Sequence, residues 1–361
     1  MHASEHSIAA TRPHPGHVPE LDGLRAVACL LVILFHAAPS GLFAGGFLGV
    51  DMFFVLSGFL ITNVLVTEWE DSKRIAIGQF YLQRALRLAP ALLFFLAVYV
   101  VAAPLAWPGE PHFRDAGLTA LYVSDYSYPL TGSPRYLQHS WSLSVEEQFY
   151  LLWPLVIPLV VQRHRGIILL FLAWLAITLG RYALANSGWV NYYYFLHTHS
   201  SGLIAGAGLA LARRQGLVNI GARSGAIATF VFAMLTMTAR MPSSTVAITL
   251  GEILSILIIG CIVSGSKLPF STILAAKPMV GIGKLSYGLY LWHFPIAYYL
   301  RADFGFFVTA SVTLGLALAG SILSYYTVEK WGRIAKARLK SRGTISATER
   351  PAPVAIPSAL S

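Results

Sequence analysis

Read for its apolar and polar positions, the chain is a series of long uncharged runs separated by short polar breaks. Runs of 17 or more apolar residues are the length a helix needs to cross a hydrocarbon core. We place ten spans at 24–38, 46–67, 87–107, 142–161, 166–184, 199–213, 222–240, 245–265, 281–300 and 304–328, of which the first and sixth are short for a full crossing. The apolar patch Ala116–Ser124 is too short to cross and is left in a loop. The fold class expected is an all-α polytopic membrane helical bundle. Its parts are a short N-terminal segment (1–21), a membrane domain (22–330) and a tail (331–361). The tail is basic, then rich in Pro, Ala and Ser, and is expected to be disordered.

Charge placement orients the bundle. With both termini cytoplasmic, 21 of the 26 Lys and Arg fall on cytoplasmic segments, as the positive-inside rule asks. Counting 116–124 as an eleventh span would put the cluster from Lys73 to Arg87 outside. The formal charge of +10 is therefore a topology signal, and no nucleic-acid partner is expected. Composition agrees: 56% of residues are hydrophobic and 12% charged, about half the charge of a soluble chain. Both cysteines, Cys29 and Cys261, lie inside spans, so no disulfide framework is expected. The N-terminus has neither an apolar core nor a basic start, so a cleavable signal peptide is not expected.

Ionisable groups inside a bilayer are costly and mark function or pairing. Arg25 and His36 lie eleven positions apart on the first span, which is close to three turns. They therefore share one face about 16 Å apart. His36 falls near the outer end, Asp51 one or two turns below the outer surface, and Glu146 and Glu147 just below it, with His139 three residues before their span. Arg25, Arg84 and Arg87 gather at the inner face, with Arg84 and Arg87 on an interfacial segment, 75–91. Glu252 and His293 are read as structurally paired or core groups. Gly202 with Gly206, and Gly45 with Gly49, are small-xxx-small pairs suited to close helix packing. On these residues alone the chain is a membrane protein with an outer polar site and a basic inner rim, which suits a transporter as well as an enzyme. No metal site is expected.

Five ordered stretches change that balance. LDGLRAVACLLVILFHA (Leu21–Ala37), GGFLGVDMFFVLSGFLIT (Gly45–Thr62), FYLQRALRLAPAL (Phe80–Leu92), HSWSLSVEEQFYLLWP (His139–Pro154) and KLSYGLYLWHFP (Lys284–Pro295) together resemble the acyltransferase-3 family of integral membrane acyltransferases. The first looks like that family's Arg-X10-His motif, on Arg25 and His36. The resemblance implies transfer of an acyl group, commonly acetyl, from cytoplasmic acyl-CoA to a hydroxyl of a glycan or other acceptor, at the inner membrane of a bacterium.

In that reading Arg25, Arg84 and Arg87 hold the donor's phosphates. His36, whose residue type titrates near neutral pH, acts as general base or carries the acyl group. Asp51, Glu146 or Glu147 orients its imidazole as a carboxylate does in a catalytic triad, with His139 nearby. Two departures from the family pattern stand out. Gln83-Arg84 replaces paired arginines, and His199 occupies a position where family members often carry arginine. The C-terminal esterase-like domain of some relatives is not expected in this sequence. A transporter or flippase is the competing class, but no internal repeat of the kind transporters carry is evident. An inactive scaffold is a third, opposed by the presence of Arg25, His36 and Glu146.

Overall fold

A computed structural model describes residues 17–39, 41–162, 165–240 and 244–335. Each expected span coincides with one helix. The first, α1 (Pro19–Ala37), starts five residues before the expected boundary. Pro19 sits in its first turn with Glu20 and Asp22, where a missing N–H costs nothing and acidic side chains meet the positive end of the helix dipole. Helix α2 (Leu48–Ser72) ends at Lys73, whose left-handed backbone (φ 55°) returns an N–H to the Trp69 carbonyl. Helix α3 (Ile77–Ala106) is continuous through the segment read as interfacial, despite Pro90 and Pro104.

Between α3 and α6 (Ser140–Val161) lie two short helices, α4 (His112–Ala120) and α5 (Ser124–Thr131). The expected outer loop is thus a packed cap, with the 116–124 patch divided between them and too short to cross. Thr119, Ser124 and Ser140 link through their hydroxyls, Asp115 accepts from the Ser133 hydroxyl and the Arg135 amide, and Trp107 stacks on Tyr136 at 4.1 Å. Then follow α7 (Gly166–Ala183), the short α8 (Trp189–Tyr193) and α9 (Leu196–His199), α10 (Ser201–Arg214) and α11 (Ala222–Thr238). The chain continues through α12 (Thr245–Val263), α13 (Ser271–Leu274), α14 (Lys277–Leu300) and α15 (Phe306–Tyr326). Residues 328–335 are again helical, so the expected disorder after Trp331 does not hold for the first tail residues. Residues 336–361 lie outside the described residues.

Among the described residues, six helices are long and apolar enough to cross a membrane: α2, α3, α6, α7, α12 and α15. The helices on the other four expected spans (α1, α10, α11 and α14) are shorter or more polar. The chain is an all-α, multi-pass membrane protein. Many large apolar side chains are exposed, Leu93, Val101, Leu105, Leu151, Leu155, Phe171, Leu179, Phe307 and Leu323 among them, and form the lipid face of α3, α6, α7 and α15. Its fully buried groups include charges. That inside-out distribution suits a bundle whose solvent is lipid.

Helix α2 is the hub, mostly buried and packed on α10, α1 and α12, while α14 packs on α1 and α15. Glycines set the spacing, as the small-xxx-small pairs predicted. A methyl at Gly206 would collide with the Val55 carbonyl, at Gly49 with Ala28, and at Gly45 with Leu235. One buried cluster is a clamp rather than a site. Arg181 and Glu252 pair at 3.4 Å with no exposed side-chain surface, and Ser201, Thr249 and Trp174 take up further hydrogen bonds. Glu252 is thus the structurally paired acid expected.

Candidate active site

Two cavities enter the bundle from opposite ends, and α2 and α14 line both. The first, about 650 Å³, is walled by His36, His139, Trp141, Trp189, Tyr193, Tyr194, Phe294 and Arg301 among others. The second, about 400 Å³, is walled by Arg25, Arg84, Arg87, Lys284, Glu146, Tyr150 and Tyr287 among others. They share two wall residues, Val50 and Tyr290. Tyr290 is held in place. Its hydroxyl donates to the His139 carbonyl at 3.0 Å and pairs with the Ser142 hydroxyl at 2.6 Å. On the orientation expected from charge placement, the first is the outward cavity and the second the inward one.

His36 sits in the last turn of α1 and lines the outward cavity. Its Nδ1 lies 3.1 Å from Nε2 of His293 on α14, and His293 Nδ1 lies 2.6 Å from the Tyr290 carbonyl. A carbonyl only accepts, so His293 carries its proton on Nδ1, and in the neutral ring Nε2 is then an acceptor. His36 must therefore donate from Nδ1. Its Nε2 is left with a free lone pair, the atom a general base needs. His139 donates Nε2–H to the Leu291 carbonyl at 3.2 Å, stacks on Phe294 at 4.9 Å, and buries Nδ1 without a partner.

The expected carboxylate partner of His36 is replaced by a histidine. Asp51 instead accepts from His199 at 2.8 Å, deep between α2 and α9, with both side chains fully buried. His199 Nδ1 donates to the Tyr193 carbonyl. Glu147 forms a two-point bond with Arg84, at 2.7 and 3.1 Å. Glu146 accepts from Ser57 and Tyr150 and lines the inward, basic cavity. The reason is helix depth. Because α3 begins at Ile77, Arg84 and Arg87 stand about 10 and 15 Å along it, and Glu146 stands about 9 Å into α6, so the groups meet inside the bundle.

Arg84 is thus spent largely on Glu147 and on the Tyr150 ring, 3.2 Å from its guanidinium. Arg25 has Asp22 at 4.0 Å, and Asp22 is itself taken by His17 at 2.6 Å. Arg87 and Lys284 line the same cavity with no ion pair among the described residues. The structure brings Arg25, Arg84, Arg87 and Glu146 to one cavity and His36 and His139 to the other. It sets Asp51 apart, in its own buried pair. Sequence reasoning passed over His293, Tyr290 and Lys284 as site residues, although all three lie in the KLSYGLYLWHFP stretch that carried the resemblance.

Comparison with known proteins gives the class. The family model described as an acyltransferase domain matches residues 18–328. The chain belongs to the acyltransferase-3 family, membrane enzymes that transfer acyl groups. Among curated relatives, it is 33% identical to the peptidoglycan O-acetyltransferase OatA of Listeria monocytogenes over 330 residues, 79% of this chain and 50% of the relative. It is 34% identical to the O-acetyltransferase OatA of Staphylococcus aureus over 347 residues, 87% of this chain and 57% of the relative. The chain spans about half the length of these relatives. No solved structure matches it.

Proposed function

We propose that the chain moves an acetyl group from acetyl-CoA on the cytoplasmic side of a bacterial inner membrane to a hydroxyl of a glycan on the outer side. The observation that carries this is the meeting of two chemically different cavities at Val50 and Tyr290. One is lined by cations suited to a polyanionic nucleotide. The other holds a histidine with a free lone pair. Arg25, Arg87 and Lys284, supported by Arg84, hold the donor phosphates. The thioester end reaches the Val50–Tyr290 junction.

His36 Nε2 takes the proton of the acceptor hydroxyl as its oxygen attacks the thioester carbonyl. The C–S bond then breaks, and the thiolate leaves with the proton returned from His36. His293 holds the imidazole in the tautomer this requires and accepts part of the positive charge that develops on it. The acetyl and glycan parts of the reading also draw support from the curated relatives' names. Purified protein given labelled acetyl-CoA and a glycan acceptor tests it: label on the acceptor is expected, lost in His36→Ala. A protein that neither hydrolyses nor transfers the thioester, with His36→Ala indistinguishable from the parent, would return the chain to the transporter class.

A further inference from the structure

We infer that the acceptor bound in the outward cavity is an anionic carbohydrate, its negative group held by Arg240 and Arg301. This rests on the acceptor being a glycan, as proposed above, and goes on to specify its charge. The outer segments carry four arginines, Arg114, Arg135, Arg240 and Arg301, and two of these line the cavity that holds His36. No Asp or Glu is among the residues that line it.

Neither arginine has a carboxylate within ion-pair distance among the described residues. Arg240 is exposed, and among the described residues its hydrogen bonds go to the carbonyls of Met237 and Ala239, at 2.8 and 3.0 Å. Arg301 is half-buried, lies over the Tyr298 ring at 4.5 Å, and reaches the His36 carbonyl at a long 3.4 Å. By contrast, Arg135 on the same face has Glu110 at 4.0 Å, and Arg84 inside the bundle is matched by Glu147.

A hydroxyl acceptor needs no cation. Two unmatched guanidiniums in the cavity of the reacting base are explained by a substrate that brings the negative charge. A guanidinium takes a carboxylate or a phosphate oxygen pair in a two-point fork. The rest of the wall suits sugar rings, because Trp141, Trp189, Tyr193, Tyr194 and Tyr128 offer flat apolar faces with polar edges, and Gln138 adds an amide. Arg301 also sits where a cation favours the C-terminal end of α1. That role alone would leave Arg240 unexplained and would not discriminate between acceptors.

The test uses the full chain in lipid nanodiscs with labelled acetyl-CoA and three tetrasaccharide acceptors: neutral tetra-N-acetylchitotetraose, tetraglucuronate, and a glycerol-phosphate-substituted tetrasaccharide. Transfer to one or both anionic acceptors is expected to exceed transfer to the neutral one by about ten- to hundredfold in kcat/KM, the worth of a charge-assisted bond. The arm that wins distinguishes a carboxylate from a phosphate. Arg240→Gln with Arg301→Gln should erase most of that preference. Arg301→Lys, which keeps the charge, should retain part of it, and raising the salt should shrink it.

Equal use of neutral and anionic acceptors, or an equal loss for all three in the double variant, overturns the inference. Donor cleavage with no glycan labelled at all overturns the glycan reading instead. In that case quenching of Trp141 and Trp189 fluorescence by the same oligosaccharides decides the charge question separately. Anionic binding lost in the double variant supports it, and charge-blind binding or no binding refutes it.

Discussion

Replacing His293 gives the sharpest reading of the site. His293→Leu removes the acceptor 3.1 Å from His36 Nδ1 and leaves that N–H without its buried partner. Such a loss amounts to about 1–3 kcal/mol, a factor of about 5 to 150 in rate if the orientation matters at the transition state. His36→Ala removes the base itself and is expected to cost more, about 10²- to 10⁴-fold. His293→Gln places a side-chain carbonyl near the lost Nε2 and should recover part of the loss.

The assay is acetyl transfer from labelled acetyl-CoA at saturating acceptor, with kcat and the donor KM measured separately. Because His293 lines neither the basic cavity nor the arginine cluster, the change is expected in kcat, with the donor KM within about twofold. A parent-like kcat in His293→Leu, or Gln no better than Leu, would refute the tautomer argument and leave His36 oriented by packing alone.

Other expectations follow from the same geometry. Arg87→Gln and Lys284→Gln should each raise the donor KM by about tenfold with kcat held, whereas Arg84→Gln should lower thermal stability, since it strands Glu147; initial-rate kinetics and melting in detergent separate the two. Arg181→Leu should destabilise by about 3–5 kcal/mol by leaving Glu252 buried and unpaired, and the double change with Glu252→Leu should restore most of the melting temperature; a double variant no better than the single would contradict the clamp.

Asp125, in the outer cap, is raised from 3.8 to about 6, chiefly by burial, against a hydrogen bond from Gln148. Its contribution to stability is therefore present below about pH 4 and lost as pH rises through 6. The melting temperature of the parent should gain on that of Asp125→Asn as pH falls from 7 to 5, and a constant difference would count against the assignment.

The bundle was legible in the sequence because a membrane helix is a one-dimensional signal. Uncharged runs and alternating basic loops placed the ten helices α1–α3, α6, α7, α10–α12, α14 and α15, and Arg25 and His36 could be set on one face by arithmetic. The limits of that signal lie in the same place. Arg84 and Arg87 interrupt the hydropathy of α3, so its start was set ten residues late, and with it the depth at which arginines meet Glu146 and Glu147. Pairs between helices leave no periodicity: His36 meets His293 across 257 positions and Asp51 meets His199 across 148. Depth estimates alone suggested that His36 would find a carboxylate. Each carboxylate had a better partner on a neighbouring helix, and the histidine was left to a second histidine.

The account's central claim is that an acetyl group enters through the basic cavity and leaves from the histidine cavity on the other side. Proteoliposomes loaded inside with labelled acetyl-CoA, with a glycan acceptor added only outside, test it directly. The account predicts labelled ester on the outer acceptor, abolished by His36→Ala and reduced by Arg87→Gln. Label confined to an acceptor enclosed with the donor, or transfer unchanged in His36→Ala, would contradict it.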